Sequence, residues 1–331
     1  MPDARDGAPG SGRLRPPALG LLLAEARALF EFNASLLLSP LLMRAPRGDG
    51  HPVLALPGFL ASDLSMAPMR RYLGELGYET HAWRMGRNLG GLARMREGLR
   101  ARLAEIHGAS GRKVSLVGWS LGGVYARDLA LQAPEMVRYV VTLGSPFASD
   151  VKATNATALY EAVSGERVED FAEAREAIAG ELPVPATSIY SRGDGVVNWR
   201  TCLLHPSGRA ENIEVYFASH VGLGVNPAAL WAVADRLAQP EGEFWRLTGQ
   251  ARLPLHMPRQ SGQYRSDEKR RPRAPVKFFG RELWLTVRSC RRWTHRFCIW
   301  KRLRCRCMSA AWRSFACPTI TRATSSKTSR R

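Results

Sequence analysis

The passage from Val114 to Ala130 is compatible with few folds. An apolar strand-like run, Val114-Ser115-Leu116-Val117, leads into Gly118-Trp119-Ser120-Leu121-Gly122-Gly123, and a helical pattern, Val124-Tyr125-Ala126-Arg127-Asp128-Leu129-Ala130, follows at once. A strand that turns directly into a helix tolerates only glycine beside the apex, because side chains at positions 118 and 122 would collide with neighbouring backbone. Ser120, at the apex, is thereby held out beyond the strand, with the positive end of a helix behind its oxygen.

The rest of the chain repeats the same alternation. Strand-like runs are expected at Pro52–Leu56, Glu79–Trp83, Lys113–Gly118, Val137–Leu143, Ala186–Ser191 and Ile213–Ala218. Helices are expected at Ser65–Leu76, Gly91–His107, Leu121–Gln132 and Pro227–Leu237; in the second, Leu92, Met95, Leu99, Leu103 and Ile106 recur at three- and four-residue steps. Strands alternating with helices predict an α/β fold, a mostly parallel sheet covered by helices on both faces. Ligands bind such sheets outside the carboxyl ends of the strands, so functional side chains are expected just after strands. The segment of about 147–185 interrupts the series with two helical patterns, Thr154–Val163 and Val168–Ile178, and is expected to form a helical cap over those strand ends.

The formal net charge of +19 suggests nucleic acid until it is located. Residues 265–331 hold 20 Lys/Arg and 3 Asp/Glu, whereas the preceding 264 hold 28 basic and 26 acidic residues. No nucleic-acid partner is therefore expected for the body. Five of the six cysteines, Cys290, Cys298, Cys305, Cys307 and Cys317, also lie in that segment, and only Cys202 lies in the body. A body with one cysteine forms no disulfide and suits a reducing, cytoplasmic setting. Residues 241–331 read as a basic Arg/Cys/Trp-rich tail, disordered or produced by a shifted reading frame. Residues 1–18 are polar and rich in Pro and Gly, an expectation of disorder. Residues 19–45 read as an amphipathic helix and linker. The helix, about Leu19 to Leu38, is ended by Pro40 and too short in its apolar part to span a membrane. It is expected to pack its apolar face on the main domain at 46–240, with a peripheral membrane contact left open.

The strand–turn–helix around Ser120 has the form of a nucleophile elbow. A serine hydroxyl needs a base, and the base a carboxylate to orient it, in the order Ser, Asp or Glu, His for this kind of site. His51, His81 and His107 precede Ser120, while His256 and His295 lie beyond the last strand. Of His205 and His220, the latter follows a strand and is favoured. The acid is expected at Asp194, directly after the strand ending near Ser191, with Asp150 as the alternative. Donors for an oxyanion are expected from the backbone N–H of Leu121 and from Phe59 in Pro57-Gly58-Phe59-Leu60, with Leu60 as the alternative. These placements resemble the α/β-hydrolase family, especially its bacterial lipase- and esterase-like members, over about His51 to Leu237. The resemblance implies Ser120 as nucleophile, His220 as general base and acid, Asp194 as its orienting partner, no metal and no cofactor. Many relatives carry His-Gly where this chain has Pro57-Gly58, which alters the pocket and leaves the backbone donors in place. The serine nucleophile argues against the dehalogenase and epoxide-hydrolase branches, which use Asp.

Leu60, Trp119, Phe147, Val196 and Val197 are expected to line an apolar substrate pocket suited to a lipid or other greasy ester. Carboxylic-ester hydrolysis through an acyl-enzyme on Ser120 is the leading expectation. An acyltransferase would use the same triad. A non-catalytic protein binding nucleic acid or membrane through its basic tail is the third reading, and one that leaves Ser120 unexplained.

Overall fold

In β1 (Pro52–Leu56) side chains alternate between two cores, and this alternation explains the layered architecture. Val53 and Ala55 face one side of the sheet, with Val117, Val141 and Ile213; Leu54 and Leu56 face the other, with Val114, Leu116 and Val140. The computed structural model describes residues 14–148, 153–167, 172–205, 207–246, 276–278 and 281–283. Its main sheet adds β2 (Glu79–Ala82), β3 (Val114–Trp119), β4 (Val137–Leu143), β5 (Ala186–Tyr190) and β6 (Ala210–Glu214). All pairs are parallel and the order is β2-β1-β3-β4-β5-β6. A parallel sheet buried on both faces needs near-continuous apolar strands, and β1 and β4 have no exposed position. The α/β architecture expected from the sequence, a parallel sheet covered by helices on both faces, is the architecture observed.

On the first face lie α4 (Ala67–Glu75) and α9 (Pro227–Leu237), and on the second α5 (Leu92–Ser110) and α6 (Leu121–Gln132). Asn226 caps α9 by accepting from the N–H groups of Ala228 and Ala229, with Pro227 in the first turn where it lacks no needed donor. Winding reverses between β1 and β3. The loops after those two strands therefore face each other at a switch point, the place where such sheets bind ligands.

Three expectations are corrected. The sixth strand lies at Ala210–Glu214 and not at Ile213–Ala218. Its two glutamates hid it in the sequence: both are buried, Glu211 against Arg236 and Glu214 against Arg192. The N-terminal helical arm ends near Leu38 as expected, but it is not continuous, because a 3-10 turn divides it. The arm comprises α1 (Leu19–Leu23), a 3-10 turn (Ala24–Arg27) and α2 (Ala28–Leu37), and Pro40 then sits in the first turn of α3 (Ser39–Leu42). Nor does the arm turn its apolar face inward: Leu23, Leu29, Phe30 and Leu37 are exposed while Glu31 is buried. The loops it meets present backbone N–H and C=O groups, which a charged face satisfies and an apolar face would strand.

Residues 14–18, expected to be disordered, run beside the loop after β5 and the segment before the first cap helix, where the Arg15 and Pro17 carbonyls accept from Asn198 and Asn155 respectively. Between β4 and β5 stand α7 (Thr157–Ser164) and α8 (Ala172–Ala179). Residues 276–278 and 281–283 form a separate antiparallel pair, β7 (Val276–Phe278) with β8 (Arg281–Leu283). Asp150, His256, His295 and the cysteines of the tail lie outside the described residues, as does most of the segment read as a shifted frame. Among the described residues, no helix is long and apolar enough to cross a membrane.

Candidate active site

Ser120 occupies the junction of β3 and α6 with φ 53° and ψ −123°, a backbone region that side chains rarely adopt. The turn is as crowded as its sequence implied. A Cβ on Gly118 would lie 2.4 Å from the Gly122 carbonyl oxygen, and one on Gly122 would lie 2.2 Å from the Leu56 carbonyl oxygen. Two bonds pin the turn, from Ser120 N–H to the Leu143 carbonyl and from Gly123 N–H to the Ser120 carbonyl. The strain is thus held by the sheet on one side and the helix on the other.

The loops after β5 and β6 bring Asp194 and His220 to this point. Ser120 Oγ lies 2.9 Å from His220 Nε2, and His220 Nδ1 lies 2.7 Å from Asp194 Oδ2. The other Asp194 oxygen accepts from the N–H groups of Val196 at 2.9 Å and Val197 at 2.7 Å, so the carboxylate cannot rotate away. His220 is held from behind, its carbonyl accepting from the Trp119 indole at 2.9 Å. Asp194 and His220 are buried, at 3% and 4% exposure. Burial alone would push the imidazole pKa down. The charge and hydrogen bond of Asp194, with the charge of Glu25, outweigh it and raise the pKa above 6.5. A hydroxyl, an imidazole and a carboxylate in this chain can pass a proton from the hydroxyl to the ring as the oxygen attacks.

The loop after β1 supplies the facing wall. Buried Asn88 organises it, donating from its amide to the Pro57 carbonyl at 2.9 Å and, from its N–H, to the Ala61 carbonyl at 2.8 Å. Its own carbonyl accepts from Leu60 N–H at 2.7 Å. Leu60 N–H is thereby committed, whereas Phe59 N–H has no hydrogen bond among the described residues. Leu121 N–H, at the first position of α6, has no partner within the helix. Nothing in the sequence around Asn88 distinguishes it from a loop asparagine: its one local partner, Gly90 N–H, makes an ordinary turn, and the others lie 27 to 37 positions away.

A cavity of about 120 Å³ opens at Ser120. Of the five residues expected to line it, Phe147, Val196 and Val197 do; Leu60 and Trp119 do not. Leu60 takes φ 60° and turns its side chain towards solvent. Trp119 follows the alternation of β3 onto the face of Val117, away from the cavity, and packs near the His220 ring. The missing wall comes from α6 with Val124 and Tyr125, from α7 with Tyr160, and from α8 with Ile178. Arg127 of α6 anchors the end of α8, donating to the carbonyls of Ile178 and Gly180. His205 is exposed in the loop before β6 and takes no part.

A second Ser–His–Asp chain lies at the opposite ends of the strands. Ser115 Oγ is 2.9 Å from His51 Nε2, and His51 Nδ1 is 2.5 Å from Asp49 Oδ1. Its serine sits within β3, wholly buried and paired in the sheet, and lines neither the cavity at Ser120 nor the smaller one beside Arg127. Burial dominates at His51, aided by the charges of Arg138 and Arg112, and lowers its pKa to about 4 against the opposing pull of Asp49.

No family model and no curated protein matches the sequence. Among solved structures the chain is similar to a monoacylglycerol lipase of Paleococcus ferrophilus (16% identity, TM-score 0.45, covering 59% of this chain and 96% of that one). It is also similar to mature Bacillus licheniformis lipase BlEst2 (16%, 0.44, 60% and 95%). A third is the esterase domain of a Rhodothermus marinus protein (18%, 0.41, 59% and 88%).

Proposed function

We propose that this chain is a serine hydrolase of carboxylic esters, lipase- or esterase-like, acting through an acyl-enzyme on Ser120. The observation that carries the reading is the hydrogen-bonded series Ser120–His220–Asp194 at the mouth of an apolar cavity, with the serine partly exposed at a strained turn. His220 takes the Ser120 proton as the oxygen attacks the ester carbonyl, and Asp194 holds the ring and stabilises the imidazolium. The carbonyl oxygen becomes an anion between the N–H groups of Phe59 and Leu121. His220 then protonates the departing alcohol, and water repeats the sequence to release the acid.

The acyl group lies against Val124, Phe147 and Ile178, with α7 and α8 acting as a cap that limits access of water. This lining, apolar apart from Arg175 and a few hydroxyls, suits an apolar acyl chain. A cytoplasmic setting accords with the single, buried cysteine of the described body. If an alcohol replaces water in the second half, the same residues carry acyl transfer, which product analysis with added alcohol reads directly.

The test is a series of p-nitrophenyl esters of increasing acyl length, with the full chain and Ser120→Ala. Turnover and labelling by a fluorophosphonate probe are expected in the wild type, and neither in the variant. A folded wild type that is no faster than Ser120→Ala and resists the probe refutes the proposal.

A further inference from the structure

The N-terminal arm grips both loops that carry Asp194 and His220, and it does so with three charged side chains. Glu25 Oε1 accepts from Gly195 N–H at 2.8 Å and from His220 N–H at 3.0 Å; its Oε2 accepts from Val221 N–H at 2.9 Å. One carboxylate therefore bridges the residue after Asp194 to His220 itself. Arg27 donates to the carbonyls of Gly193, Phe217 and Ala218. Glu31 accepts from Ser219 N–H at 2.8 Å and from the Asn226 side chain at 2.8 Å. Five consecutive residues, Phe217 to Val221, thus each have a backbone group held by the arm, as do both neighbours of Asp194.

The fit is tight enough to exclude side chains at two places. A Cβ on Gly195 would lie 2.2 Å from the Leu21 carbonyl oxygen, and one on Gly222 would lie 2.4 Å from the Glu31 carboxylate. Charge-assisted bonds to backbone N–H groups are short, strong and directional. They act here on a loop with a strained residue, Phe217 at φ 57°, whose side chain is exposed.

We propose that Glu25 is a positioning residue for Ser120, His220 and Asp194, clipping the histidine loop to the acid loop from an arm that precedes the sheet. The inference rests on the esterase reading above. Glu25 is absent from the wall of the cavity, so it acts on turnover through His220 and leaves substrate binding alone. Its carboxylate and that of Asp194 are the acidic groups facing His220, with Ser120 on the remaining side. Arg27 bonds to the backbone of both loops and Glu31 to Ser219 N–H and the Asn226 side chain, and neither hydrogen-bonds to the His220 ring. Removing the Glu25 charge favours the neutral ring, so His220 stays a competent base to lower pH.

The experiment measures kcat and KM against pH for the full chain, Glu25→Ala and Glu25→Gln, with thermal melts to establish folding. Glu25→Ala is expected to lower kcat roughly tenfold to a hundredfold, the scale of a small misplacement of reacting groups, with KM within about twofold. Glu25→Gln retains the shape and one acceptor, so its kcat falls less. In both, the acid limb of kcat/KM moves to lower pH. A folded Glu25→Ala with wild-type kcat overturns the proposal, and so does a loss of kcat with the acid limb unmoved, which would make the arm only a structural brace. If Glu25→Ala does not fold, the acid limb of Glu25→Gln decides in the same way. A folded wild type without turnover or probe labelling fails the esterase reading itself and the clip with it; an active wild type matched by Glu25→Ala fails the clip alone.

Discussion

Replacing His51 by Phe tests whether burial, and not hydrogen-bond geometry, sets the behaviour of a Ser–His–Asp chain in this molecule. His51 is neutral in the folded protein down to about pH 4, whereas in the unfolded chain it titrates near 6.5. A histidine whose folded pKa is depressed adds stability above the unfolded value, and that stability is lost as pH falls from 6.5 towards 4. At about 1.36 kcal/mol per unit, the wild type forfeits roughly 3 kcal/mol from this group between pH 7 and pH 4. Phe keeps the edge contact with Tyr78, and Asp49 keeps its bonds to Arg112 and Arg138. Ser115 Oγ loses its partner, at a cost of about 1–3 kcal/mol at every pH. The variant is therefore the less stable protein at pH 7 and approaches or overtakes the wild type by pH 4. Urea unfolding of both proteins at pH 7, 5.5 and 4 measures the gap; groups remote from His51 cancel in the comparison, and Asp49 is still held low by its bond to Arg138. Stability profiles that run parallel across this range would refute the argument, because His51 would then carry no proton linkage.

Other predictions concern the proposed chemistry. Asp194→Asn keeps the shape and misorients the ring, so kcat on the best p-nitrophenyl ester falls by about 10⁴ with little change in melting temperature; a loss under tenfold would deny Asp194 its role. His220 must be neutral to act as base and its pKa is raised by Asp194 and Glu25, so kcat/KM declines as pH falls, through an acid limb lying above 6.5. A limb at or below 6.5 contradicts this environment. Asn88→Ala releases the Pro57 carbonyl, the Gly90 N–H and the Tyr125 hydroxyl while leaving the backbone bond to Leu60 in place, and so loosens the loop that presents Phe59. The expected loss of kcat is roughly tenfold, with KM less affected, read by steady-state kinetics on the same ester.

The elbow was legible because its constraints are local: Gly118, Ser120 and Gly122 are set by one turn, and the collisions that demand glycine occur within it or against the adjacent strand. Asp194 and His220 could be placed beside Ser120 because a parallel sheet brings the loops after its strands to one edge. That rule survived an error in the sixth strand, since the loop carrying His220 still leaves the carboxyl end of the sheet when β6 ends at Glu214. The pocket was half legible for the opposite reason. Residues just after strands, such as Phe147 and Val197, were placed correctly, but Trp119 lies on the strand itself, where side chains alternate between faces. A choice between faces depends on register, and the motif does not contain it. Tyr160 and Ile178 belong to helices whose approach to the cavity is set by tertiary contacts such as that of Arg127 with the end of α8.

The arm shows where periodicity misleads. Leucines and phenylalanines at helical spacing imply an apolar face turned inward, yet in this chain the charged face is the buried one, because it meets unpaired backbone groups of two functional loops about 166 to 196 positions away. A similar inversion separates the two Ser–His–Asp chains. Their hydrogen-bond distances are nearly the same, but Ser115 is locked within a central strand while Ser120 leaves one. Proton transfer from a hydroxyl is useful only where a carbonyl carbon can approach the oxygen and donors await the resulting anion. Access and strain at the serine coincide at the carboxyl end of β3, whereas Ser115 at its other end is wholly buried and paired in the sheet. A search by distances alone would return both chains; the position of the serine relative to the sheet returns one.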